Sequence, residues 1–280
     1  MTRGWSTPDG GRRLDLHAHT HFSDGQLSPA QLIDLALARQ LVALAITDHD
    51  TVQGVAPAFE AAGDRIEIVP GIEISSLLDG QDLHILGYFL DPLSAPLSQR
   101  LVRFREERRE RACAILERLR QLGAEVDGDA VFAAAGPGVV GRPHVAQALV
   151  RAGHVPSIDM AFQRYLGPRG EAFVPRPAFR SEEAIATIGE AGGVAVLAHP
   201  GSALAVLQVE RLHEAGLTGI EVWHPQHNMA TQRRWKETAD RLGLIPSGGS
   251  DFHSSHRGAG LGDMPVPERT LERLRTAAGR

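Results

Sequence analysis

Apolar residues gather into short runs along the chain: Leu14–Leu16, Val42–Ile46, Ile66–Val69, Leu83–Phe89, Val194–Ala198, Gly219–Val222 and Leu244–Pro246. Runs of this length between polar or glycine-rich stretches predict buried strands. Helical spacing follows most of them, over Pro29–Arg39, Ser181–Ala191, Val209–Ala215 and Met229–Leu242. Ser28-Pro29 has the form of an N-cap before an N1 proline, and Ser181-Glu-Glu opens its helix in the same way. Strand alternating with helix predicts an α/β fold with parallel pairing, either a barrel or a doubly wound sheet.

The alternation stops between about Pro96 and Phe179. A long charged helix, Ser98–Leu122, precedes shorter helical pieces around Asp129–Ala135, Arg142–Ala152 and Ile158–Tyr165. The loop Gly136-Pro-Gly-Val-Val-Gly141 interrupts them and Pro175-Arg-Pro177 closes the segment. The expected organisation is an α/β body from residues 1–95 and 178–280, with an all-helical insert, 96–177, over one face. In the long helix Phe104, Ile115, Leu116, Leu119 and Leu122 form a packing stripe, and Cys113 reads as a small core filler.

Composition removes several function classes. The 280 residues, 42% hydrophobic and 22% charged, suffice for one large α/β domain or for one domain with a sizeable insert. One cysteine excludes an intramolecular disulfide and thiolate-rich metal sites. No stretch approaches the roughly 20 apolar residues of a membrane helix, and Met1–Arg12 lacks the apolar segment of a signal peptide, so the cytoplasm is the expected compartment. A net charge of -5 argues against binding long duplex nucleic acid. Lys236 is the sole lysine and no glycine-rich loop precedes it, which argues against Schiff-base and P-loop chemistry. The 13 histidines are the unusual feature.

Several of them sit with carboxylates at the ends of the apolar runs. His17-Ala-His19 ends the first run, and on a strand that spacing puts both imidazoles on one face, where they can share a metal. Asp24 follows on a turn. The second run ends in Asp48-His49-Asp50 and the third in Gly71-Ile-Glu73; His199 follows the fifth, and Asp251 and His253 follow the last. His84 differs, because it starts a run. Grouping so many ionisable side chains is costly without cations, and divalent ions remove that cost. A multinuclear metal site at the convergent ends of parallel strands is therefore expected.

The ordered set His17-Ala-His19, Ser23-Asp24-Gly25, Thr47-Asp48-His49-Asp50, Gly71-Ile-Glu73, Ala198-His199-Pro200 and Ser250-Asp251-Phe-His253 resembles the PHP (polymerase and histidinol phosphatase) family of metal-dependent phosphoesterases. The resemblance implies a distorted (β/α)7 barrel holding three divalent ions, often manganese, iron or zinc. By motif, His17, His19, Glu73 and Asp251 would hold one ion. Glu73 would bridge to a second, shared with His84 and His199, and Asp24, His49 and His253 would hold the third. The nitrogen and oxygen donors suit manganese, iron or zinc better than calcium or magnesium. Asp48 is expected to orient a ligand imidazole.

The helical insert, Gly141-Arg-Pro-His144 and Glu221-Val-Trp-His224 narrow the resemblance to the branch that hydrolyses nucleoside 3′,5′-bisphosphates and trims short RNA 5′ to 3′. This implies attack by a metal-bridging hydroxide on a small phosphorylated nucleotide or short single-stranded oligonucleotide. His224 is the candidate for protonating the leaving oxygen or stabilising the phosphate, with support of its neighbours as the competing assignment. Arg142 and His144, beside a glycine-rich turn, are candidates for a second phosphate site. Arg103, Arg105, Arg108, Arg109 and Arg111, interleaved with glutamates, read as a solvated face held by i,i+4 pairs, with substrate contact by one or two of them as the lesser alternative. His21 reads as a solvated loop histidine, Trp223 as a residue that reshapes the base pocket, and His154, His213 and His256 as surface residues. Two rival readings stay open: a small-molecule phosphatase such as one acting on histidinol phosphate, and a non-catalytic PHP module.

Overall fold

Seven strands lie side by side in chain order in a computed structural model that describes residues 12–136, 138–254 and 259–280. They are β1 (Arg13–Asp15), β2 (Leu41–Ile46), β3 (Glu67–Leu78), β4 (Gln81–Tyr88), β5 (Val194–Leu197), β6 (Gly219–Trp223) and β7 (Ile245–Gly248). Helices α1 (Pro29–Ala38), α2 (Val55–Ala62), α7 (Ser181–Glu190), α8 (Val206–Glu214), α9 (Met229–Leu242) and α10 (Glu268–Ala277) join or follow them. Between β4 and α7 the chain is helical: α3 (Ala95–Gln121), α4 (Gly128–Ala135), α5 (Arg142–Arg151), α6 (Ile158–Ala161) and a π-helical turn, Phe162–Leu166.

The expectation of uniformly parallel strands fails at one place. β4 runs antiparallel to both β3 and β5, while the other neighbours are parallel. Asp79 and Gly80, with φ of 51° and 79°, join β3 to β4. An Asp-Gly pair with two positive φ angles is what a two-residue hairpin needs, and it was the overlooked signal. The reversal explains His84. In a strand that runs backwards, the start lies level with the ends of its parallel neighbours. Glu73 likewise sits inside a long strand that continues to Leu78.

β1 and β7 meet through one parallel bridge, Ala18 to Phe252, beyond their ends. Buried Asp15 supplies much of the missing ladder: its carboxylate accepts from the backbone N–H groups of Ser250 (2.9 Å), Gly262 (2.7 Å) and His17 (3.2 Å). Gly249 presses against the backbone of His17 where any Cβ would overlap it. This closure by a side chain and a single bridge is the distortion in the barrel. Within it, fully buried Tyr88 packs among Leu14, Leu16, Val69 and Val196, and its hydroxyl donates to the Leu16 carbonyl at 2.8 Å. Tyr88→Phe should lower stability by about 1–2 kcal/mol, because a buried carbonyl loses its donor. Urea denaturation tests this, and an unchanged midpoint would contradict it.

Helix α3 serves two cores. Leu97, Leu101 and Phe104 pack with Ile72, Ile185 and Ile188 against the sheet. From Ala112 onward, Ile115 and Leu119 pack with Val131, Val145, Leu149 and Tyr165 in a separate helical cluster. Two sequence expectations are corrected on this helix. Cys113 is exposed, because Ala112 and Ile115 occupy the inward face. Leu122 is the C-cap and stays 43% exposed. Ser181 is not an N-cap either. Its hydroxyl turns inward to Ser76 (2.9 Å), and Glu183 caps the helix by accepting from the Arg180 N–H (3.0 Å).

Candidate metal centre and adjoining cavity

The strand-end residues converge on one carboxylate. Glu73, buried on β3, faces five imidazoles. Its Oε1 lies 2.7 Å from His84 Nδ1 and 2.9 Å from His199 Nε2; its Oε2 lies 3.2 Å from His17 Nε2, 3.2 Å from His19 Nε2 and 3.1 Å from His49 Nδ1. Asp251 Oδ1 approaches His17 Nε2 (3.4 Å) and His19 Nε2 (3.2 Å), and Asp24 Oδ1 approaches His253 Nε2 (3.1 Å). Donor atoms of His17, His19, Glu73 and Asp251 lie within 4.8 Å of one another, as do those of His19, Asp24, His49 and His253, and those of His49, Glu73 and His84. All nine expected ligands thus meet around a single centre.

Backbone strain holds part of it. His199 and Asp251 have φ of 23° and 51°, a region costly for side-chain-bearing residues. Neighbouring groups also fix which nitrogen faces inward. His17 Nδ1 meets Glu221 at 3.1 Å, and His253 Nδ1 donates to the Asp251 carbonyl at 2.8 Å, leaving Nε2 of each ring toward the centre. Glu221, whose role the sequence did not reveal, also accepts from the His199 N–H at 2.8 Å. Asp48 accepts from the Thr20 N–H (2.7 Å), the Thr20 hydroxyl (2.7 Å) and the Ser23 hydroxyl (2.6 Å), which sets the loop carrying His19 and Asp24.

The centre fits divalent cations. Among the described residues, His19 Nε2, His49 Nδ1, His84 Nδ1, His224 Nε2 and Asp24 Oδ1 are buried without a hydrogen-bond partner. Unsatisfied nitrogens and a carboxylate oxygen aimed at one space are a costly arrangement that ligation resolves. Protonation alone does not resolve it. Burial opposes charge on His19, but Asp251 and Glu73 outweigh it and push its pKa up to about 10. At His49, burial wins over Glu73 and Asp24 and pushes the pKa down to about 3. Burial likewise disfavours the Glu73 carboxylate, yet His49, His84 and His17 hold its pKa well below the usual range.

His224 lies beside this cluster, its Nε2 3.4 Å from Asp251 Oδ2. Its Nδ1 accepts from the Gln226 N–H at 3.2 Å, so the neutral ring carries its proton on Nε2. His227 is committed elsewhere, with Nδ1 to the Val222 carbonyl (3.0 Å) and Nε2 accepting from the Gly201 N–H (3.1 Å).

A cavity opens from Asp24, His49 and His84 under the helical segment, walled by Arg108, Arg111, Arg142 and Arg176 and by Phe104, Ile115, Val140 and Phe162. Arg108 is bound to buried Asp50 through Nε (2.8 Å) and Nη2 (2.5 Å). Arg142 and Arg176 share Asp82 at 3.8 and 3.4 Å, and Arg142 Nη1 donates to the Leu166 carbonyl at 3.2 Å. Burial, then Arg142, Arg176 and Arg108, push the Arg111 pKa down to about 9. Mutual repulsion of this kind marks a place for an anion. His144 also lines the cavity, but its Nδ1 caps α5 by accepting from the Gly141 N–H at 3.0 Å.

Other candidates fall outside the site. Arg103, Arg105 and Arg109 are exposed, as are His21 and His213. His154 is half-buried against the Glu125 carbonyl. Trp223 packs on the barrel cores and does not line the cavity. His256 and residues 1–11 lie outside the described residues. Arg176 and Asp50 escaped sequence reasoning: an arginine between two prolines carries no motif, and Asp50 was read only as part of its motif. No helix among the described residues is long and apolar enough to cross a membrane.

Comparison with known proteins agrees with the geometry. Residues 15–126 match the PHP domain. The chain is 37% identical over 259 residues, 88% of either chain, to the 3′,5′-nucleoside bisphosphate phosphatase of Chromobacterium violaceum. It is 36% identical over 249 residues, 85% of this chain and 84% of the relative, to the 5′-3′ exoribonuclease Rnm of Escherichia coli. A crystal structure described as a metal-dependent phosphoesterase from Bifidobacterium adolescentis superposes with a TM-score of 0.90 at 31% identity, covering 96% of this chain and 97% of that one. On this likeness over most of its length, the chain belongs to the PHP family of metal-dependent phosphoesterases, hydrolases of phosphoester bonds.

Proposed function

We propose that the protein removes the 3′-phosphate from nucleoside 3′,5′-bisphosphates, leaving the 5′-mononucleotide. The observation that carries this reading is the group of four arginines in the cavity that opens from His49 and His84. One phosphate of the substrate lies at the histidine–carboxylate centre, the other meets the arginines, and the base rests on the apolar wall. Three ions would be held by His17, His19, Glu73 and Asp251; by Glu73, His84 and His199; and by Asp24, His49 and His253. Divalent cations there supply a water of lowered pKa and neutralise charge growing on the phosphoryl oxygens.

The chain's own residues supply the rest. Glu221 and the Asp251 carbonyl keep His17 and His253 oriented. As an imidazolium, with Nδ1 having released the Gln226 N–H, His224 gives its Nε2 proton to the departing 3′ oxygen and is left neutral. Arg142 reaches the second phosphate by leaving its loose 3.8 Å pairing with Asp82. The rival substrate, histidinol phosphate, carries an ammonium group that four arginines would repel.

Arg142→Ala should lower kcat/KM for adenosine 3′,5′-bisphosphate by about 10- to 100-fold, the worth of a charge-assisted phosphate contact. Adenosine 3′-monophosphate, which lacks the second phosphate, should lose less than about threefold. Phosphate release from both substrates decides the matter. Equal losses would remove Arg142 from the second site, and faster turnover of histidinol phosphate than of the bisphosphate by the unmodified enzyme would overturn the substrate assignment.

A further inference from the structure

The turn that carries His199 draws its hydrogen bonds from one other stretch of chain. His199 enters the segment between β5 and α8 with φ of 23°, and Gly201 follows with φ of 62°. The residues after His199 are Pro200, Gly201, Ser202, Ala203 and Leu204, with one polar side chain among them, and Ser202 and Ala203 are exposed. Such a sequence has little of its own with which to hold a costly backbone form.

Residues 221–235 supply what is missing. Glu221 accepts from the His199 N–H at 2.8 Å. His227 Nε2 accepts from the Gly201 N–H at 3.1 Å, and the Trp235 indole N–H donates to the Gly201 carbonyl at 2.7 Å. Arg234 donates from Nη1 to the Ser202 carbonyl (2.8 Å) and from Nη2 to the Leu204 carbonyl (2.6 Å). Five backbone groups of the turn are thus tied to β6, the loop after it and the start of α9.

The groups that do the holding are themselves fixed. His227 is buried, and its Nδ1–H donates to the Val222 carbonyl at 3.0 Å. A ring that donates through Nδ1 keeps a lone pair on Nε2, which is the form that the Gly201 N–H requires. The backbone of His227 is engaged as well, its N–H with the His224 carbonyl (2.9 Å) and its carbonyl with Gln232 Nε2 (3.0 Å). Trp235 is fully buried, and the Arg234 guanidinium stands 4.4 Å from the centre of its ring.

We propose that His227, Arg234 and Trp235 are positioning residues for His199: they hold its turn in the strained form that aims His199 Nε2 at Glu73 Oε1, and so set the affinity of the ion assigned to Glu73, His84 and His199 without touching it. The proposal rests on the ligand assignment above. Of the nine assigned ligands only His199 sits on this turn. Loosening the turn should therefore weaken one ion and spare the ions assigned to His17, His19 and Asp251 and to Asp24, His49 and His253.

The test is a manganese titration of the metal-stripped enzyme, read by elemental analysis, on Arg234→Met, His227→Leu and, as the reference for loss of the ligand itself, His199→Ala. His227→Leu leaves two buried backbone groups unpaired; Arg234→Met keeps an aliphatic stem over Trp235 and is the milder change. Each of these two should weaken one ion by about 10- to 100-fold, the cost of disturbing a group that orients a ligand, and leave the remaining manganese bound as in the unmodified enzyme. Excess manganese should then restore kcat, with KM for adenosine 3′,5′-bisphosphate unchanged, which no general loss of folding would allow. Unchanged manganese affinity in both variants, while His199→Ala loses an ion, overturns the proposal and leaves the ligand assignment standing. Equal weakening of every ion also overturns it, since the contacts would then support the barrel at large. A His199→Ala enzyme with its full manganese complement defeats the ligand assignment, and the proposal falls with it.

Discussion

Glu73→Gln should abolish both metal retention and turnover. One carboxylate faces five imidazoles here, through Oε1 to His84 and His199 and through Oε2 to His17, His19 and His49. The amide preserves size and shape, so the barrel should still fold, but it removes the negative charge and replaces one acceptor with a donor. Residues that merely orient metal ligands cost about 10- to 100-fold in metal affinity when changed. A carboxylate central to the whole cluster should cost more, on the order of 10³-fold in kcat/KM. Elemental analysis after gel filtration, alongside phosphate release, measures both effects. A variant with a full metal complement and near-normal turnover would show that the ions are held elsewhere.

His224→Asn is expected to separate proton donation from simple contact. The ring is buried, its Nδ1 is occupied by the Gln226 N–H, and its protonated Nε2 has no hydrogen-bond partner among the described residues. Asparagine can still donate a hydrogen bond but cannot act as a Brønsted acid near neutral pH. If His224 protonates the departing oxygen, kcat for adenosine 3′,5′-bisphosphate should fall by about 10²- to 10³-fold with little change in KM. A substrate with a good leaving group, p-nitrophenyl phosphate, should lose less than about fivefold, since its phenolate departs unprotonated. Equal losses on the two substrates would instead make His224 a support for Asp251, 3.4 Å away.

The sequence was most legible where chemistry is costly. His17, His19, His49, His199, Asp251 and His253 stand at strand ends because a barrel gathers those ends, and a chain cannot gather so many ionisable groups without a ligand to justify them. The nine expected ligands meet around one centre for that reason. Strand and helix existence was legible too, through apolar runs and through the capping box in which Ser28 and Gln31 exchange hydrogen bonds at 3.3 and 2.9 Å. Helices α2 and α10 were missed, being short or strongly polar on their outer face.

What the linear order of residues settles by itself is the inventory: an α/β chain with a helical interruption, a set of nitrogen and oxygen donors too large for an ordinary core, and an excess of arginine over lysine. Direction and partnership belong to the tertiary structure. A two-residue Asp79-Gly80 turn reverses β4, and only that reversal carries His84 to the strand ends. Arg176, from the close of the helical segment, joins Arg142, from its middle, across Asp82. Neighbouring charges, finally, decide which buried imidazole keeps a proton and which gives it up, and those neighbours are remote along the chain.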